Sequence, residues 1–327
     1  MTLAAHLLDV QDLHVSFNTR RGPVVAVAGI SLQVAPAEVL AVVGESGCGK
    51  SVTAMSIMGL LDPRKGRISQ GQVLFDGHDL DKASRRQLDQ IRGHQLAMIF
   101  QDPMTSLNPV LSIGRQLIET LRRHLKLDAE QARTQALSLL EEVGIPAQRL
   151  DAYPHELSGG MCQRVMIALA ISCNPRLLIA DEPTTALDVT VQKQVLDLLD
   201  RLRRQRDMAM LLITHDLGVV AGYADRAVVM YLGQLVEQAP VNELFAAPAH
   251  PYTRALLNAM PDIDQQNARL PSIAGSVPDL HERPVGCAFA PRCEYADARC
   301  REQPPQAVEI TPGRAVRCWK PLNETQA

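Results

Sequence analysis

Read for polarity alone, the chain alternates between short apolar runs and longer stretches of helical periodicity. The runs are Val39-Leu-Ala-Val-Val43, Leu96-Ala-Met-Ile-Phe100, Leu177-Leu-Ile-Ala180 and Met208–Ile213. Each is four to six residues long, the length of a buried strand. Helical spacing governs Ile113–Arg123 and Ala129–Val143, where Ala136, Leu139, Leu140 and Val143 share one face. It returns in the stripe Val191, Val195, Leu198, Leu199 and Leu202. Buried strands interleaved with amphipathic helices predict an α/β fold.

Three further regions complete the pattern. Residues 7–34 cluster apolar side chains as Leu7–Val10, Leu13–Val15, Val24–Val27 and Ile30–Val34, with Gly22-Pro23 between them, and predict short antiparallel strands. From about residue 104 to 173 the pattern is helical, which predicts a helical subdomain inserted between strand-rich parts. Ala227–Tyr231 and Gln234–Glu237 around Gly233 predict a hairpin. Beyond about His250, ten prolines from Pro248 to Pro312 predict a loop-rich tail.

Composition narrows the function classes. A chain of 327 residues, 46% of them hydrophobic, can bury a sizeable core and hold one large domain and a smaller one. Aromatics are 3% and the net charge is −3, which argues against a nucleic-acid platform. No run of 18 apolar residues suggests a membrane span. The start, Met1–His6, lacks the features of a secretory signal. Seven cysteines, one of them inside a glycine loop, suit a reducing compartment, so a cytoplasmic location is expected.

The strongest chemical signal is Gly44-Glu-Ser-Gly-Cys-Gly-Lys50-Ser51, set between the run Val39–Val43 and a helical pattern through Val52–Leu60. Strand, glycine loop and helix are the context a P-loop requires. Gly44, Gly47 and Gly49 let the backbone turn its N–H groups inward around phosphate oxygens, and the helix start adds positive potential. Lys50 can reach the outer phosphates, and the Ser51 hydroxyl can bind Mg²⁺. Cys48, among these N–H groups and beside Lys50, is expected to favour its thiolate.

Other strand and helix ends supply partners for this loop. Gln101 follows the run Leu96–Phe100, where α/β sheets place ligand contacts. Asp181 and Glu182 follow Leu177–Ala180; two adjacent carboxylates there suit Asp181 holding a phosphate-bound Mg²⁺ and Glu182 acting as general base. His215 ends another strand and is a candidate sensor of the γ-phosphate. Leu157-Ser-Gly-Gly-Met161 precedes an apolar helix at Gln163–Ser172, so Ser158, Gly159 and Gly160 form a second anion-binding helix start.

In this order the motifs resemble the nucleotide-binding subunits of ABC transporters: the P-loop, the Q-loop Gln101, the signature Leu157–Met161, the Walker B strand with Asp181 and Glu182, the D-loop Ala186-Leu-Asp188 and the switch His215. Phe100–Pro109, Asp181–Asp188 and His250-Pro-Tyr-Thr253 with a cysteine tail resemble the dipeptide and oligopeptide importers. The resemblance implies a P-loop NTPase fold with a RecA-like core sheet, an antiparallel β subdomain and a helical subdomain at residues 1–250, and a cysteine-rich extension at 251–327. It implies MgATP held by Phe17, Gly44, Ser46, Gly47, Cys48, Gly49, Lys50, Ser51, Val52, Gln101 and Asp181, with Ser51 and Gln101 on the metal. Catalysis would fall to Glu182, His215 and Gln101, with Ser158, Gly159 and Gly160 covering the ATP of a second subunit. The implied partners are a homologous ATPase subunit, two membrane permeases and a periplasmic peptide-binding protein, with the chain on the cytoplasmic face of the inner membrane.

Cys287, Cys293, Cys300 and Cys318 stand within about 32 residues of a loop-rich segment, a set that calls for a ligand. Zinc and an iron–sulfur cluster are the choices. The spacing lacks tight Cys-x2-Cys pairs, and similar importer subunits carry a [4Fe–4S] cluster at this place, so a cluster is expected, with zinc as the alternative.

Overall fold

The computed structural model describes residues 6–185, 187–260 and 273–322. Chain packing defines two units. Among the described residues, one comprises Phe75–Ile213 with Val34–Val39 and His6–Leu8; the other comprises Asp9–Gln33, Leu40–Leu74 and those from Thr214 onward.

The first unit is built on three parallel strands, Leu96–Ile99, Leu177–Asp181 and Ala209–Thr214. Leu96 lies opposite Leu177, and Asp181 opposite Ile213. Every residue of these strands is buried, which is why they read as unbroken apolar runs rather than alternating ones. The helices Ile113–Leu125, Ala129–Glu142, Gly159–Ile171 and Val189–Gln205 share a core with the first two of these strands. Ala136, Leu139, Leu140 and Val143 are all in that core, as their spacing predicts. Each helix begins at a polar cap: the Ser112, Asp128, Ser158 and Asp188 side chains accept from backbone N–H groups of the first turn.

In the second unit, Val39–Val43 pairs in parallel with Arg226–Tyr231, from Leu40 opposite Arg226 to Val43 opposite Val229. Arg226–Tyr231 and Gln234–Pro240 form the predicted hairpin. The tail was expected to be loops, yet it adds two strands to this sheet. Arg314–Val316 pairs with Gln234–Pro240, and Val308–Thr311 pairs with Arg314–Val316. Only three or four residues long, and joined at Gly313, these strands give no usable periodicity.

A second sheet of this unit places Leu8–Thr19 between Gly22–Val34 and Gly66–Phe75. The sequence predicts several short strands over residues 7–34, whereas two long ones form. Asp12 and Gly29 take positive φ, 46° and 69°, which breaks the apolar alternation without ending either strand.

The motif His250-Pro-Tyr-Thr253 caps the helix Pro251–Asn258 through His250 Nδ1, which accepts from the Tyr252 N–H. The Ala249 and His250 N–H groups donate to the buried Glu237 carboxylate, at 2.8 Å each. Burial raises the Glu237 pKa, against those two donors, Thr253 and Arg314.

Candidate functional site

The phosphate loop joins the strand Val39–Val43 to the helix Lys50–Ile57. Its glycines are demanded by sterics. A Cβ on Gly44 would stand 2.1 Å from the Met230 carbonyl oxygen, and one on Gly49, at φ 107°, would stand 2.8 Å from that of Ala26. Lys50 is buried, and its Nζ donates to the carbonyls of Gly44 at 2.8 Å and Glu45 at 3.1 Å. Ser51 and Val52 follow on the first helical turn.

The structure corrects one expectation here. Cys48 is buried, and burial pushes its thiol above the ordinary range, outweighing the pull of Lys50. The sequence places a charge beside it but does not reveal that water is excluded. Phe17 is half-buried and its ring lies close against Gly66, whose added Cβ would be 2.5 Å from it.

Gln101, Asp181 and Glu182 sit at the ends of neighbouring strands of the first unit. Asp181 is buried in its strand. The Gln101 side-chain amide donates to Glu182 Oε2 at 3.1 Å, and Thr185 Oγ1 donates to the same oxygen at 2.9 Å. Thr185 was not singled out from sequence; its only signal is standing three residues beyond Glu182. Glu182 has φ 46°, a left-handed conformation that costs a non-glycine residue energy and that clusters at active sites. His215 is exposed just beyond the strand Ala209–Thr214, in the second unit. Asp188, the third D-loop residue, caps the helix Val189–Gln205, whereas Ala186 lies outside the described residues.

Ser158 caps the helix Gly159–Ile171, which starts four residues earlier than its apolar pattern suggests; its Oγ accepts from the Met161 N–H at 3.3 Å. A Cβ on Gly159 would meet nothing within 4 Å, so that helix start is open to approach.

The tail reaches the phosphate loop by two contacts that sequence reasoning missed. The Arg292 guanidinium forks onto the Glu45 carboxylate at 2.7 and 3.2 Å, and the Tyr252 hydroxyl accepts from the Glu45 N–H at 3.0 Å. The tail cysteines are in the same unit. Burial raises the pKa of Cys287, Cys293 and Cys318, and charge on neighbouring cysteines adds to it; Cys318 is pushed up to about 12. Among the described residues no group of three or more His, Cys, Asp or Glu side chains is arranged to hold a metal ion. The cysteines are thus gathered but not drawn into a ligand set, and the structure lends the expected cluster only their proximity.

Loop, paired carboxylates and capped glycine helix define an ABC-type ATPase. The ABC transporter family matches residues 27–185, and the oligopeptide/dipeptide transporter C-terminal region matches residues 236–300. A putative peptide import ATP-binding protein of Brucella melitensis is 53% identical over 96% of this chain and 95% of its own length. The dipeptide transport ATP-binding proteins of Bacillus subtilis and Escherichia coli are 50% and 49% identical, over 96% and 97% of this chain and 94% and 98% of theirs. A solved structure, cbiO1 of Clostridium perfringens, described as part of the ABC transporter complex cbiONQ, is 29% identical; the match covers 74% of this chain and 92% of that one, with TM-score 0.63. The cassette MJ0796 bound to ADP and phosphate shares the fold at 24% identity and TM-score 0.65, over 72% of this chain and 98% of that one. The chain therefore belongs to the ABC transporter family, in its branch of peptide-import ATP-binding proteins. Among the described residues no helix is long and apolar enough to cross a membrane.

Proposed function

We propose that this chain is the ATP-hydrolysing subunit of a dipeptide or oligopeptide importer. The observation that carries the chemistry is Glu182, held by Gln101 and Thr185 on a left-handed backbone directly after the buried Asp181. In this reading the loop Gly44–Ser51 binds the triphosphate, with Phe17 against the base. Ser51, Gln101 and Asp181 supply oxygen donors suited to Mg²⁺. Glu182 orients and deprotonates the attacking water, and His215 senses the γ-phosphate. The open helix start at Ser158–Gly160 supports a role as the lid over ATP bound to a homologous partner subunit.

The permease contact falls near Gln101. Phe100, Met104 and Val110 expose large apolar side chains, Val110 by 76%, within eleven residues of sequence. A cleft of about 510 Å³, lined in part by Arg92, Gln116, Glu119 and His124, lies in the same unit. Exposed apolar groups beside a polar-rimmed cleft suit a protein partner. On this reading the chain works at the cytoplasmic face of the inner membrane, beneath two permeases, with a periplasmic binding protein choosing the peptide.

The test is uptake of labelled di- and tripeptides by cells lacking the gene. Wild type is expected to restore uptake and Glu182→Gln is expected not to. Uptake that is unimpaired by the deletion would falsify peptide transport.

We also propose that Cys287, Cys293, Cys300 and Cys318 ligate a [4Fe–4S] cluster, supported by four cysteines falling within about 32 residues of the tail. Protein purified without oxygen is expected to be brown with about four irons per chain. A colourless, zinc-bearing protein would instead assign the site to zinc.

A further inference from the structure

We infer that Arg292 is a positioning residue for the phosphate loop, through which the C-terminal segment sets nucleotide affinity. Arg292 and Glu45 are 247 residues apart in sequence, yet the guanidinium meets the carboxylate with both arms of its fork, Nη1 to Oε2 at 2.7 Å and Nη2 to Oε1 at 3.2 Å. The Arg292 side chain is 4% exposed and that of Glu45 28%, so water screens the pair poorly. Fork geometry fixes orientation as well as distance.

Arg292 is itself held from several sides. Its Nε donates to the Ala274 carbonyl at 2.9 Å and Nη2 to that of Ile273 at 3.4 Å. Its guanidinium carbon lies 5.9 Å from the ring centres of both Tyr231 and Phe289. Tyr231, Tyr252 and Phe289 pack against one another with centroids 4.6 to 5.3 Å apart. The Tyr252 hydroxyl accepts from the Glu45 backbone N–H, so Tyr252 holds the main chain and Arg292 the side chain of one loop residue.

That residue matters to the loop. The Glu45 carbonyl is one of the two that hold Lys50. Fixing Glu45 therefore fixes a peptide that holds the lysine. Two effects of losing Arg292 point the same way. The loop gains freedom that nucleotide binding must then remove. The Glu45 carboxylate also loses its counter-charge beside a site for a polyanion. By reciprocity, a nucleotide that tightens the loop also tightens the segment around Arg292.

This rests on the nucleotide reading of the Gly44–Ser51 loop, and its test separates the two. Titrate the full chain with a fluorescent ATP analogue, as wild type, Arg292→Gln, Arg292→Lys, Glu45→Gln and the double variant Glu45→Gln/Arg292→Gln. Expected is a Kd about tenfold weaker for Arg292→Gln, the scale of about 1.4 kcal/mol, with Arg292→Lys between it and wild type. The double variant is expected to bind no more weakly than Arg292→Gln, because the pair acts as one unit. Amide exchange is expected to slow on adding ATP at residues 287–293 in wild type and to be insensitive to ATP in Arg292→Gln. Affinity within twofold of wild type in Arg292→Gln, or in Arg292→Lys should the first not fold, overturns the inference. So does additivity of the two single changes, or exchange at 287–293 in wild type that ignores ATP. A wild-type chain that bound no ATP would instead sink the nucleotide reading itself.

Discussion

Glu182 accepts hydrogen bonds from Gln101 and Thr185 on one oxygen, Oε2. Both donors stand on the same unit as the carboxylate, Gln101 on a separate strand end and Thr185 on its own loop. Removing its charge while keeping its shape is expected to lower ATP turnover by about 10²–10⁴, the worth of a general base, and to leave ATP binding intact. Steady-state hydrolysis and equilibrium binding of Glu182→Gln check this. Gln101→Ala is expected to cost less, because Thr185 still holds the carboxylate.

Lys50 is buried and satisfied by loop carbonyls rather than by a counter-ion. Lys50→Ala is expected to abolish the rise in Tm that MgATP confers on the wild type. Gly49→Ala is a separate case. Its φ of 107° and its 2.8 Å approach to the Ala26 carbonyl are expected to cost about 1–3 kcal/mol of folding stability, measured by denaturant unfolding without nucleotide.

Cys48 is expected to alkylate slowly at pH 7 despite its place beside Lys50. Burial holds its thiol above the ordinary range, so the thiolate fraction is small there and grows only as pH climbs past that range. Site-resolved mass spectrometry across pH 7–10 reads this directly. A fast reaction at neutral pH would contradict the burial argument, and bound ATP is expected to slow the reaction further.

His250 gives the fold an acid sensitivity. Burial lowers its pKa from 6.5 to about 3, and its neutral Nδ1 caps the helix Pro251–Asn258. The folded pKa lies below the unfolded one, so its contribution is full above pH 6.5 and is lost as pH falls toward 3. The slope has a ceiling of about 1.4 kcal/mol per pH unit in that window. His250→Asn, which can still cap, is expected to flatten the fall in Tm between pH 6.5 and 4.5. An unchanged slope would assign the acid loss to other groups.

Local chemistry carried much of this protein into its sequence. The glycine loop, the Ser158 helix start and the buried strands lie where their patterns place them, because each depends on neighbours a few residues away. What stayed hidden depends on distance. The Arg292–Glu45 pair joins residues 247 apart, and before folding Arg292 is merely an arginine between a proline and a cysteine. The tail strands were masked by prolines and by lengths of three and four residues. The Cys48 thiol departs from its expected thiolate because charge can be read from sequence and solvent access cannot.

The strand Val308–Thr311 is short, exposed along its whole length and carries Glu309. It therefore makes a poor template for a further chain, and it finishes a sheet whose hairpin strand Gln234–Pro240 would otherwise present open backbone groups. The C-terminal segment thus doubles as a solubility device: a version of this ATPase cut back to its catalytic motifs would be shorter, and stickier.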